Sequence, residues 1–193
     1  MGFPAGAGSV FVFALALNSW QRDHMPTSKQ RRAFEEGHRR KFLVIVDESP
    51  EVDAALFFAA SRAAHTGGSL VLLYVIEPQD FQHWMGVKEI QKEEETQKAK
   101  ALFRLMSRKL ANAGLEEVEC EDVIGEGAMA DEILVVIEAD EDISVMVLGA
   151  GTEAQGPGPL VSTLAAGNQA GTFPIPITIV PGNMVLEDIK TLA

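Results

Sequence analysis

The chain has 193 residues, 47% of them hydrophobic, which is enough to bury one substantial core and about the size of a single ordinary domain. Its formal charge of −12 speaks against nucleic acid or an anionic membrane as partner, because such surfaces would be repelled over most of the molecule. A single cysteine, Cys120, excludes an intramolecular disulfide and a multi-cysteine metal site and suits a reducing, cytoplasmic setting, and the four histidines show no metal-ligand spacing.

The first forty residues read as an extension, apolar and then basic. Ser9–Leu17, SVFVFALAL, is too short to span a bilayer, and no Lys or Arg precedes it as a signal peptide would require. Met25 is an alternative start, followed by an ordinary polar terminus. Residues 29–41, KQRRAFEEGHRRK, concentrate basic side chains ahead of an acidic body, in the manner of a solvated charged arm.

From residue 41 to about 182 the pattern is regular. Phe42–Val46 is a continuous apolar run rich in β-branched residues, the mark of a strand covered on both faces, and it ends in Asp47-Glu48-Ser49-Pro50. Ser49 is placed to cap a helix with Pro50 at its first position, running to about His65 before Thr66-Gly67-Gly68. Ser69–Ile76 reads as a second buried strand. Between Val87 and Ala113, Ala99, Leu102, Phe103, Met106 and Leu110 recur at helical steps on one face. The alternating run Glu117–Ile124 predicts a third strand at or near a sheet edge, and Ala128–Ala139 a further helix with Ile133 and Ile137 inward. Ile143–Leu148 is the fourth strand, Ser162–Ala170 a short helix, Ile175–Val180 the fifth strand, and residues 183–193 a tail.

Strand and helix alternate throughout, which predicts a doubly wound α/β fold: a five-stranded parallel sheet with helices on both faces. Ligands of such sheets bind beyond the carboxyl ends of the strands, where strand order reverses. Asp47, Val75 and Gly149 each stand at a strand end, so three separate segments point to one crevice.

With VIVDES closing the first strand, LYVIEP the second, and VLGAG followed by the final PITIVPG, the chain resembles the universal stress protein family over roughly residues 41–181, a UspA-like domain of adenine nucleotide alpha hydrolase-like fold. The resemblance implies a stress-response protein that binds ATP or another adenine nucleotide, with Mg2+ accompanying it, without rapid turnover. It also implies a homodimer paired through the last strand, Ile175–Val180. Carried over, the nucleoside end falls on Val46, Asp47 and Val75. The phosphate end falls on Leu148, Gly149, Gly151, Thr152, Ser162 and Thr163.

Two positions depart from the family's pattern of GxxG, nine residues, then G with Ser or Thr. Thr152 replaces the second glycine and Ser162 the third. Thr disfavours the close backbone approach that a phosphate loop needs, and Pro157 and Pro159 have no N–H to donate. No Lys or Arg occurs between Lys109 and Lys190. Alternatives therefore stand at each point. Asp47 is either a nucleoside ligand or a carboxylate serving the helix N-terminus, and Ser162 and Thr163 either contact phosphate or cap the next helix. The loop is either a phosphate cradle or purely structural. Neither GxSxG nor a P-loop occurs, so no catalytic residue is assigned. The other function compatible with these residues is a dimeric interaction module acting on a protein partner.

Overall fold

A computed structural model describes residues 29–78, 85–152, 156–165 and 173–193. Ser9–Leu17, the Met25 start, Glu153 and the end of the helix expected to reach Ala170 lie outside those residues. The described residues form five strands, β1 (Lys41–Ile45), β2 (Ser69–Ile76), β3 (Cys120–Glu126), β4 (Ile143–Ala150) and β5 (Ile177–Pro181). Five helices accompany them: α1 (Val52–Thr66), α2 (Met85–Asn112), α3 (Met129–Ala139), α4 (Pro159–Ala165) and α5 (Leu186–Leu192).

All strands pair in parallel, in the order β3-β2-β1-β4-β5. Right-handed crossovers then dictate the layers. The steps from β1 to β2 and from β2 to β3 run one way, so α1 and α2 share a face; the steps from β3 to β4 and from β4 to β5 run the other way, so α3 and α4 share the opposite face. The strand period of two divides the central residues accordingly. Phe42, Val44, Val46, Leu70, Leu72 and Tyr74 pack with Leu56, Phe103, Met106 and Leu110 of α1 and α2. Leu43, Ile45, Val71, Leu73 and Val75 pack with Ile133 and Ile137 of α3 and Val161 of α4. Every β2 residue is buried, as its unbroken apolar run predicts. β3 is an edge strand with its acidic positions outward, which explains its alternation.

The tail, residues 183–193, carries α5, which packs on α1 with Ile189 fully buried in that core. Lys190 Nζ donates to the Ala113 carbonyl beyond the end of α2 (2.7 Å), where a cation complements the helix dipole.

The basic segment is not a solvated arm. Arg31 Nη1 donates to the Ile137 and Asp140 carbonyls (2.5 and 3.1 Å), closing an α3 whose own last turn has no basic residue. His38 Nδ1 meets Asp142 Oδ1 at 2.7 Å, and Arg39 meets Glu119. Lys41 Nζ lies 2.7 Å from both Asp140 Oδ2 and Glu121 Oε2. Burial alone would lower the Lys41 pKa, but hydrogen bonds with Asp140 and Glu121 outweigh it and leave the pKa raised. The Arg40 guanidinium stands 4.3 Å over the Phe34 ring. Attachment follows from the partners: these cations reach acids around β3 and just before β4, far away in sequence and adjacent in space.

Cys120 is a strand residue, as its alternating run implies. Burial first, then Asp122 and Glu119, push its thiol up to about 11, which leaves it protonated and unreactive at neutral pH.

Candidate functional site

Strand order reverses between β1 and β4, and a cleft of about 290 Å³ opens beyond their carboxyl ends. Ile45, Val52, Leu148 and Val161 give it apolar walls, with Met129 at one side. Asp47, Ser49, Glu51, Glu77, Gly149 and Thr163 bring polar groups or backbone to it. Such a mixture of apolar wall and convergent polar groups is the usual makeup of a small-molecule site.

Asp47 lies two residues beyond β1 and is exposed; its Oδ1 accepts the Ser49 N–H at 2.9 Å. That bond closes a turn at Ser49, and the N-cap of α1 is Glu51 rather than Ser49. The helix starts two residues later than Pro50 at its first position would require, at Val52, with Glu51 as N-cap and no side-chain capping bond. Glu77, after β2, accepts the N–H of Met129 at the start of α3 (3.3 Å). Each of these two carboxylates thus tethers one backbone amide at the rim of the cleft.

Of the predicted site residues, Asp47, Leu148, Gly149 and Thr163 line the cleft. Gly151 and Thr152 line a neighbouring depression with Pro50, Gly156, Gly182 and Asn183. Val46 and Val75 are instead buried on opposite faces of the sheet, 2% and 7% exposed, and Val46 N donates to Leu73 O. Ser162 is exposed and lines neither hollow.

Ser162 and Thr163 do not cap their helix. α4 begins at Pro159, after Gly158 in the left-handed region (φ +93°). Gly158 O accepts the Ser162 N–H at 2.9 Å, and Thr163 Oγ1 donates back to Pro159 O at 2.8 Å. Proline suits a first helical position, and Gly158-Pro159 carried that signal.

Gly149 has a structural reason of its own. A Cβ there would stand 2.2 Å from the Glu51 carbonyl oxygen, so any side chain would drive β4 away from the start of α1. Glu51 itself is the functional candidate that sequence reasoning missed. It lines both the cleft and the depression. Its only sequence signal is an acid in the first turn after VIVDES, which reads as helix-dipole complement until β1 is known to lie beside β4.

The chain matches the universal stress protein family over residues 38–181. It belongs to that family. The fold of this universal stress protein is shared with UspA from Lactobacillus plantarum at 20% identity, over 73% of this chain and 97% of that one, with a TM-score of 0.57. A universal stress protein from Archaeoglobus fulgidus is similar at 17% identity, covering 78% and 99% of the two chains (TM-score 0.52). A structure of the universal stress protein from the same organism in complex with dAMP gives 17% identity, coverage of 73% and 97%, and a TM-score of 0.50. No curated protein matches this universal stress protein in sequence. No helix among the described residues is long and apolar enough to cross a membrane.

Proposed function

We propose that this universal stress protein binds an adenine ligand, ATP or another adenine nucleotide or its nucleoside, and holds it without rapid turnover as a stress-response factor of the cytoplasm. One observation carries the reading: Asp47, Leu148, Gly149 and Thr163, from three separate segments, line a single cleft at the strand-order reversal. The dAMP complex of the Archaeoglobus fulgidus relative supports an adenine ligand class. In this reading Asp47 accepts hydrogen bonds from ribose hydroxyls, the apolar wall covers the base, and no residue acts as catalyst. Among the described residues the lining offers carboxylates and hydroxyls but no histidine, lysine or cysteine. Mg2+ enters with a nucleotide; among the described residues no cluster of three acids, histidines or cysteines is arranged to hold a metal.

Calorimetric titration with adenine ligands tests this. Asp47→Ala is expected to weaken binding by at least about tenfold, the loss of one hydrogen bond to a charged group, while the exposed site keeps stability nearly unchanged. Equal affinity in the variant would sink the assignment. The acidic lining favours the second reading, a protein-interaction module, in which the native chain binds no adenine ligand at all.

We also propose a homodimer through β5. It is an edge strand with β4 as its neighbour in the sheet, and Ile179 is 46% exposed. Sedimentation should show a dimer that Ile179→Lys converts to monomer; a monomeric native chain would rule the pairing out.

A further inference from the structure

Four glycines surround one glutamate. Cβ atoms at Gly151 and Gly182 would lie 3.2 Å from Glu51 Oε1 and 2.6 Å from Glu51 Cβ; one at Gly149 would strike the Glu51 backbone, and one at Gly158 would lie 4.0 Å from Oε1. The loop therefore leaves out side chains where Glu51 runs. With no capping bond of its own, the Glu51 side chain is positioned by this packing.

The location is telling. Glu51 stands between the cleft and the depression lined by Gly151 and Gly156, and it is the residue from which the 15-residue α1 starts. A helix N-terminus beside a glycine-rich loop is where an anion is favoured. Here a carboxylate of the chain already holds that place, and it carries the sign of charge and the acceptor oxygens that a phosphate would bring. Asp47 and Glu77 add negative charge to the same wall, and among the described residues no Lys or Arg lines either hollow. An incoming phosphate would meet like charge in this lining.

We infer that Glu51 occupies the phosphate seat, so that the cleft selects an uncharged adenine nucleoside over its nucleotides and each added phosphate weakens binding. This rests on the adenine reading of the cleft and specifies it. Size agrees with charge: about 290 Å³ is at the lower end of ligand pockets, which run from roughly 300 to 1,000 Å³.

Titration of the full chain with adenosine, AMP and ATP, with and without magnesium, is the test. Adenosine is expected to bind tightest and ATP weakest, about tenfold or more apart. Glu51→Gln keeps the shape and removes the charge, so ATP should gain about tenfold while adenosine changes by less than about twofold. Glu51→Ala, which also empties the seat, should raise ATP affinity at least as much. Circular dichroism verifies that both variants are folded. ATP binding the native chain as tightly as adenosine overturns the inference, and so does a ranking unchanged in both variants. Tight ATP binding that needs magnesium overturns it too, because Glu51 would then be bridging a metal to phosphate. If no adenine compound binds the native chain or either variant, the adenine reading itself fails, and the inference with it.

Discussion

At the amino ends of the strands Lys41 lies 2.7 Å from both Asp140 and Glu121, and His38 meets Asp142, whereas at the carboxyl ends Asp47, Glu51 and Glu77 share a wall that holds no Lys or Arg among the described residues. One acidic chain thus uses carboxylates in two ways. Where a basic segment can reach them they become attachment points, and the segment Arg31–Lys41 is drawn onto the body. Where no cation reaches them they tether backbone amides or fill space, and the negative potential stays open to whatever enters the cleft. Charge at the amino ends is structural; on the cleft wall, in the reading proposed above, it filters ligands.

The comparison can be broken most severely at the open end. Gly149→Ala places a Cβ against the Glu51 backbone, which cannot swing aside as a side-chain tip would, and is expected to cost roughly 2–3 kcal/mol of stability by overpacking. Chemical denaturation with no ligand present measures it. A neutral result would mean that Gly149 is kept for ligand approach rather than for packing against Glu51.

At the paired end, Lys41→Ala leaves Asp140 and Glu121 facing each other without their shared cation, at an expected loss of about 1–2 kcal/mol. A loss no larger than that of an isolated surface lysine would show that the attachment is nominal. The pH dependence has a definite sign. Because the folded pKa is raised, the stability from Lys41 is complete below the ordinary lysine pKa of 10.5 and is lost as pH rises through the higher folded value. Denaturation midpoints of the native chain should therefore fall faster above that pH than those of Lys41→Ala.

The gentlest probe is read at high pH. Tyr74, the single tyrosine, donates to Glu95 Oε2 at 2.7 Å, and burial first and then Glu95 push its pKa up to about 12. A raised folded pKa again means stability that is present below pH 10 and lost as pH climbs from 10 toward 12. The phenolate absorbance should titrate near 12, and Tyr74→Phe should flatten that stretch of the stability profile. Titration near 10 would show that neither the burial of Tyr74 nor its Glu95 contact persists in solution.

How much of this could be read from residues alone follows from the range of each interaction. Fully apolar runs such as Ser69–Ile76 declare buried parallel strands by themselves, and the spacing of Phe103, Met106 and Leu110 declares a helix face. Helix starts were harder to read. Ser49-Pro50 is a good helix start, but α1 begins two residues later at Val52, while the same kind of signal in Gly158-Pro159 marks the true start of α4. Asp47, Leu148 and Gly149 meet near strand ends at a switch point, with Thr163 of α4 beside them, whereas the side chains of Val46 and Val75 follow strand alternation into the core. The Arg31–Lys41 attachments and the part played by Glu51 both join segments distant along the chain. No local pattern encodes them.

The seam that makes the cleft also has a bearing on chain entropy. Lys41 pairs with Ser69 on one side of β1 and with Ile143 on the other, so β1 closes a loop of about 28 residues toward β2 and one of about 100 toward β4. Because closure entropy grows only with the logarithm of loop length, the longer loop adds about 1 kcal/mol. A crevice between strands from opposite halves of the sequence, with walls that can vary independently, is therefore nearly as easy to build as a local hairpin of helix and strand.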